Sequence, residues 1–125
     1  MHDGPVARLR TVVLDCPEPA ALARFYAELL GGELLDEDDD DPSWQVLVEP
    51  GGQRIAFQRA PEYTPPVFPD PKASQQLHLD LLVEEIEAAE RGALALGAVL
   101  IEPHDAERFR VYRDPVGHTF CFVWL

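Results

Sequence analysis

Positive charge is scarce in this chain. Ten Lys and Arg stand against 23 Asp and Glu, for a formal net charge of −13. Nucleic-acid binding rests on clustered Lys and Arg that neutralise phosphates, so no nucleic-acid partner is expected. An anionic membrane surface is disfavoured for the same reason. Cysteine is nearly missing: Cys16 and Cys121 are too few for a disulfide framework. No apolar run approaches the roughly 20 residues that span a bilayer. Met1–Val6 is polar, with Gly and Pro, and has no apolar signal-peptide core. The expectation is a reduced, cytoplasmic protein with free thiols. Also lacking are the G-x-S-x-G elbow, the P-loop, the G-x-G-x-x-G fingerprint and zinc-finger spacing, so nucleophile-elbow and nucleotide-driven chemistries have no sequence basis.

What is present suits one domain of 125 residues with a real core. Leu9–Cys16 is β-branched and apolar and predicts a strand. Pro17-Glu18-Pro19 ends it and opens a helix whose stripe is Leu22, Phe25, Tyr26 and Leu29, spaced i, i+3, i+4, i+7. Gly31-Gly32 stops it. A short strand over Gly32–Asp36 precedes an acidic loop, Asp36–Asp41, too crowded with like charge to pack. Ser43–Glu49 and Gln53–Arg59 alternate around Pro50-Gly51-Gly52, a hairpin. The Pro-rich stretch 60–75 has no period and reads as a linker or covering loop, with Tyr63 and Phe68 able to pack it down.

Gln76–Val83 (QLHLDLLV) predicts a strand with His78, Asp80 and Leu82 on one face. Glu84–Leu96 predicts a helix with acidic residues in its first turn and an apolar stripe of Ile86, Ala89, Ala93 and Leu96, stopped by Gly97. Ala98–Glu102 is a strand, Pro103–Glu107 a turn, Phe109–Arg113 a strand, Asp114–Gly117 a type I turn and His118–Trp124 the last strand. Arg110 and Tyr112 share a strand face, as a solvated edge or a grip for an anion; His104 and His118 read as loop and exposed residues.

The two halves have the same order: strand, helix, glycine stop, three strands. Glu28–Leu34 (ELLGGEL) matches Leu94–Leu100 (LALGAVL), and Glu49-Pro50-Gly51-Gly52 matches Asp114-Pro115-Val116-Gly117. The offset is about 65 residues, the mark of a duplicated unit. The fold class is therefore α+β: two tandem βαβββ units, unit one about 8–59 and unit two about 76–125, forming a cupped, mostly antiparallel sheet. Alternation places Thr11, Val13 and Asp15, Ala56 and Gln58, His78, Asp80 and Leu82, and Cys121 and Val123 toward the cup. A concave sheet with inward polar groups is a small-molecule site.

The segments LDCPEPAALARFYAELLGGEL (14–34), RIAFQ (54–58), QLHLDLLV (76–83) and DPVGHTFCFV (114–123) resemble the vicinal oxygen chelate superfamily, the glyoxalase/bleomycin-resistance/dioxygenase group, in its glyoxalase-like branch. The resemblance implies a homodimer and, in metal-dependent members, one divalent ion (Zn, Ni, Mn or Fe) held by His, Glu or Gln from the first and last strands of each unit. Those positions map onto Thr11, Ala56 or Gln58, His78 and Cys121, so only His78 and Cys121 stand as candidate metal ligands. The expected ligand-binding residues are His78, Gln58, Cys121, Asp80, Trp44 and Tyr112. Three functions stay open: a small-molecule-binding protein with a degenerate metal site; a metal-dependent lyase, isomerase or dioxygenase acting on a small oxygen-bearing metabolite; or a structural or assembly role in which the cup is filled by its own side chains.

Overall fold

The structure is a computed structural model that describes residues 4–35, 41–67, 70, 72 and 77–125. The acidic residues 36–40, His2, Phe68 and Gln76 lie outside the described residues. The chain divides into two compact units, the first ending at Glu62 and the second beginning at Tyr63.

In the first unit, β1 (Thr11–Cys16), α1 (Pro19–Leu30), β2 (Glu33–Leu35), β3 (Trp44–Val48) and β4 (Arg54–Arg59) follow in order. The sheet order is β1-β4-β3-β2, with β1 parallel to β4 and the other pairs antiparallel. Proline at the start of α1 removes no needed donor. The helix ends where the Gly31 N–H bonds the Ala27 carbonyl at 2.8 Å, with Gly31 at φ 79. Gly32, at φ +97, matters more: a Cβ there would sit 2.2 Å from the Val48 carbonyl oxygen. Only a bare Cα lets the chain turn this closely into β2, which pairs with β3. The α1 stripe Leu22, Ala23, Phe25 and Tyr26 is buried, and the Tyr26 ring stacks on Phe57 of β4 at 5.7 Å. Burying one such side chain contributes roughly 2–3 kcal/mol.

The second unit repeats the plan: β5 (Leu79–Leu82), α2 (Ile86–Ala95), β6 (Val99–His104), β7 (Phe109–Arg113) and β8 (Thr119–Val123), in sheet order β5-β8-β7-β6. β5 runs parallel to β8. Phe120 and Phe122 of β8 and Tyr112 of β7 form an aromatic cluster with ring centroids 4.9 to 5.4 Å apart. The face carrying these rings is the one linked to α2, whose Glu90 accepts from the Tyr112 hydroxyl at 2.9 Å.

Arg110, on the same face, is buried. It donates to both carboxylate oxygens of Asp105 at 2.9 Å, pairs with Glu87 at 2.8 Å and with Glu90 at 3.1 Å. This corrects the expectation of a solvated edge or an anion grip: the guanidinium ties helix, turn and sheet together.

Local boundaries differ from expectation in three places. The strand predicted over Gln76–Val83 shortens to β5, so His78 stands just ahead of it rather than inside it. Only Glu87 lies in the first turn of α2, because Glu84 and Glu85 precede the helix. Pro103 and His104 belong to β6, and a 3-10 turn follows over Asp105–Glu107. β6 is an edge strand, where a missing N–H costs no ladder bond.

The Asp114–Gly117 turn forms as expected. The Gly117 N–H bonds the Asp114 carbonyl at 3.0 Å, and Asp114 Oδ1 accepts from Val116 N at 2.9 Å and His118 N at 3.0 Å. Tyr63 lies over this region, 5.3 Å from the His118 ring, and His118 is half-buried rather than exposed.

Candidate functional site

The parallel register of β5 and β8 sets Asp80 opposite Cys121 and Leu82 opposite Val123. Partners in register share a face, and so do residues two apart on a strand. Asp80, Cys121 and Thr119 therefore lie on the face away from Phe120 and Phe122. His78 reaches the same place from just ahead of β5: its Nε2 lies 3.2 Å from Asp80 Oδ1.

Asp80 is the hub. Its carboxylate meets the imidazole on one side and lies beside the Cys121 thiol on the other, within 4.8 Å. The His78 and Asp80 side chains are 42% and 59% exposed, whereas Cys121 is buried at 6%. Burial first, and then the Asp80 charge, push the Cys121 thiol up to about 11. At pH 7 only about one molecule in ten thousand would carry the thiolate, so Cys121 is no resting nucleophile.

The donor set has another use. One ligand atom from each of His78, Asp80 and Cys121 falls within 4.8 Å of the others. Imidazole nitrogen, carboxylate oxygen and thiolate sulfur are the three zinc-ligand types, and three protein ligands with an open fourth position make a reactive zinc site. Donors of a bound ion lie closer together, at roughly 3–4 Å given bond lengths near 2.0–2.3 Å. The two half-exposed side chains can turn to close that gap. The residues thus fit a thiophilic divalent ion better than a hard, oxygen-seeking one.

Of the expected binding residues, the structure joins His78, Asp80 and Cys121. Trp44 and Gln58 are partners across β3 and β4 in the first unit and share a sheet face, with Gln58 exposed. Thr11 is engaged by the Arg54 guanidinium at 3.1 Å. Tyr112 stands apart: it is fully buried, and its partner in register is Phe120, so it faces α2 and not the side of Cys121. Burial pushes its phenol above the usual range, with Glu90 adding to this. Two things escaped the sequence reading. Asp80 joins the donor set, which its i+2 spacing from His78 could have signalled. Thr119, two residues before Cys121, is 4% exposed with a hydroxyl that has no hydrogen-bond partner among the described residues.

A family model described as a glyoxalase-like domain matches residues 11–123. The chain belongs to this family. No protein of curated function matches the glyoxalase-like chain. Solved structures share its fold. A glyoxalase/bleomycin resistance protein/dioxygenase family enzyme from Burkholderia phytofirmans is 18% identical with a TM-score of 0.74, covering 94% of this chain and 98% of that one. A glyoxylase/bleomycin resistance protein/dioxygenase domain from Frankia sp. is 19% identical with a TM-score of 0.71, covering 96% and 93%. The fosfomycin resistance protein FosX from Listeria monocytogenes, solved with manganese(II) and a dihydroxypropylphosphonic acid, is 12% identical with a TM-score of 0.69, covering 95% and 90%. The α+β class and the tandem βαβββ plan of this glyoxalase-like chain are those of the superfamily.

Proposed function

We propose that this glyoxalase-like protein binds a small oxygen-bearing metabolite on the sheet face of its second unit that carries His78, Asp80 and Cys121. The convergence of these three donors carries the reading. Asp80 and His78 offer a carboxylate and an imidazole to a ligand's polar end. Leu82, two along from Asp80 and 67% exposed, offers an apolar shoulder to its body. The trio is a reduced ion site, with Cys121 where metal-dependent relatives carry a carboxylate or amide ligand.

Asp80, as a third donor, also favours a second reading: a metal-dependent lyase, isomerase or dioxygenase. An ion bound there would polarise paired oxygens on a substrate. The chain's own part is then to hold it: His78 as the neutral imidazole, Cys121 after losing its proton to solvent, and Asp80 as a ligand or as the group that orients His78. We also propose that the chain works in a reducing compartment, where both free cysteines persist, and that it pairs as a homodimer, at twice the 14.0 kDa chain mass.

The test is elemental analysis of protein purified without chelator, paired with thermal shifts from added Zn, Ni, Mn and Fe. A shift led by zinc and lost in His78→Ala supports the trio as the site. No bound ion and no shift from any of the four overturns the metal-dependent reading and leaves metabolite binding without an ion.

A further inference from the structure

His78, Asp80 and Cys121 share their sheet face with a fourth polar side chain, Thr119. Thr119 opens β8 and lies two residues before Cys121 on the same face, about 7 Å along the strand. Leu79 is the register partner of Phe120, so the next station back pairs Thr119 with the position of His78. The four side chains form a block of two by two.

The Thr119 hydroxyl is cut off from solvent and has no hydrogen-bond partner among the described residues. Buried hydroxyls nearly always find one, and leaving a bond unmade destabilises the fold. A valine would fill nearly the same space without that penalty. Nor is the position loose: the Asp114 carboxylate grips the turn that delivers β8, bonding Val116 N at 2.9 Å and His118 N at 3.0 Å. Local penalties of this kind concentrate where function needs them.

We infer that Thr119 is the oxygen-recognising group of this site, its hydroxyl held for an oxygen brought in by whatever binds at His78, Asp80 and Cys121. The inference rests on the site proposed above and narrows its ligand class. A hydroxyl donates to a carbonyl, carboxylate or hydroxide oxygen and accepts from a hydroxyl or bound water. The partner is thus a ligand oxygen, or the water on an ion held by the trio, rather than a hydrocarbon or thioether.

The test compares wild type with Thr119→Val and Thr119→Ser, stripped of metal and probed with cobalt(II). Thr119→Val is expected to melt about 2–4 °C above wild type, because it removes an unsatisfied hydroxyl. Its cobalt(II) affinity, read from the thiolate-to-cobalt absorption, is expected to fall about tenfold, as for loss of an outer-shell partner. Thr119→Ser, which keeps the hydroxyl, should bind within about threefold of wild type. A Thr119→Val protein that melts below wild type, or that binds cobalt(II) as tightly, overturns the inference. No cobalt absorption in wild type overturns the ion reading of the site and this inference with it; absorption that is present but unchanged in Thr119→Val overturns the role of Thr119 alone.

Discussion

Replacing Arg110 by methionine should cost this protein a substantial share of its stability. The guanidinium is buried against three carboxylates whose side chains differ in exposure: Glu87 at 68%, Asp105 at 55% and Glu90 at 18%. With the cation gone, Glu87 and Asp105 can take up water. Glu90 is left mostly buried, with the Tyr112 hydroxyl as its remaining donor at 2.9 Å among those described. Breaking a fully buried pair costs about 3–5 kcal/mol, and an exposed one about 0–1 kcal/mol. Glu90 lies between these limits, so the loss should be about 2–3 kcal/mol. Unfolding entropy near 2.1 cal/mol/K per residue makes each kcal/mol worth roughly 4 °C at this length, so Tm should fall by about 8–12 °C. Adding Glu90→Gln should recover part of that, with a coupling of about 1–2 kcal/mol in the double-mutant cycle. Calorimetry reads all three variants. An Arg110→Met protein melting within about 1 °C of wild type would mean that the guanidinium is a solvated edge after all, and the reasoning fails. The acid limb gives a second check. Hydrogen bonds from Arg110 hold the Asp105 carboxyl below its ordinary 3.8. A depressed carboxyl adds stability above its unfolded value and loses it as pH falls through its folded one. Wild type should therefore lose this contribution below about pH 3.8, and Arg110→Met should lack that component of its acid transition.

Three further outcomes follow from the same geometry. With its thiol near 11 against an ordinary 9.0, Cys121 should alkylate with iodoacetamide at pH 7 about a hundredfold more slowly than an unperturbed cysteine, if thiolate fraction sets the rate. Asp80→Asn should recover only part of that, because burial is the larger cause; full-speed alkylation in the folded wild type would contradict it. Gly32→Ala should unfold the chain or lower Tm by more than about 10 °C, while Gly52→Ala, at φ +96 with nothing within 4 Å of the added carbon, should cost only about 1–2 kcal/mol; equal losses by thermal denaturation would refute the close approach of Gly32 to Val48. Tyr112→Phe should cost about 0.5–1.5 kcal/mol from the lost bond to Glu90 and leave cobalt(II) binding at the trio unchanged; a tenfold loss of binding would put Tyr112 back at the site.

Much of this fold was legible because its signals are local. Alternation in RIAFQR and TFCFV, the Gly31 and Gly97 stops, and the Asp114-Pro115-Val116-Gly117 turn each act over a few residues, and the repeat of their order supplied the tandem plan. Tyr112 was misplaced because its face depends on register across a hairpin. The turn that pairs Arg113 with Thr119 also pairs Tyr112 with Phe120 and Val111 with Cys121, so Tyr112 cannot share a face with Cys121. The Arg110 cluster joins residues 5 to 23 positions apart on a helix, a turn and a strand, and no period in the sequence encodes such a meeting. Asp80 was legible as a neighbour of His78 but not as a donor beside Cys121, because that needs the parallel pairing of β5 with β8. Thr119 is invisible to pattern reading, since an unmade hydrogen bond leaves no trace in composition.

The central claim is that His78, Asp80 and Cys121 act together as the binding site, and cobalt(II) titration of the metal-stripped chain tests it most directly. The account predicts one ion per chain, a thiolate-to-cobalt absorption that vanishes in Cys121→Ser, and affinity weakened at least about tenfold in His78→Ala. An ion that binds with no thiolate signature, or with equal affinity in both variants, would contradict it.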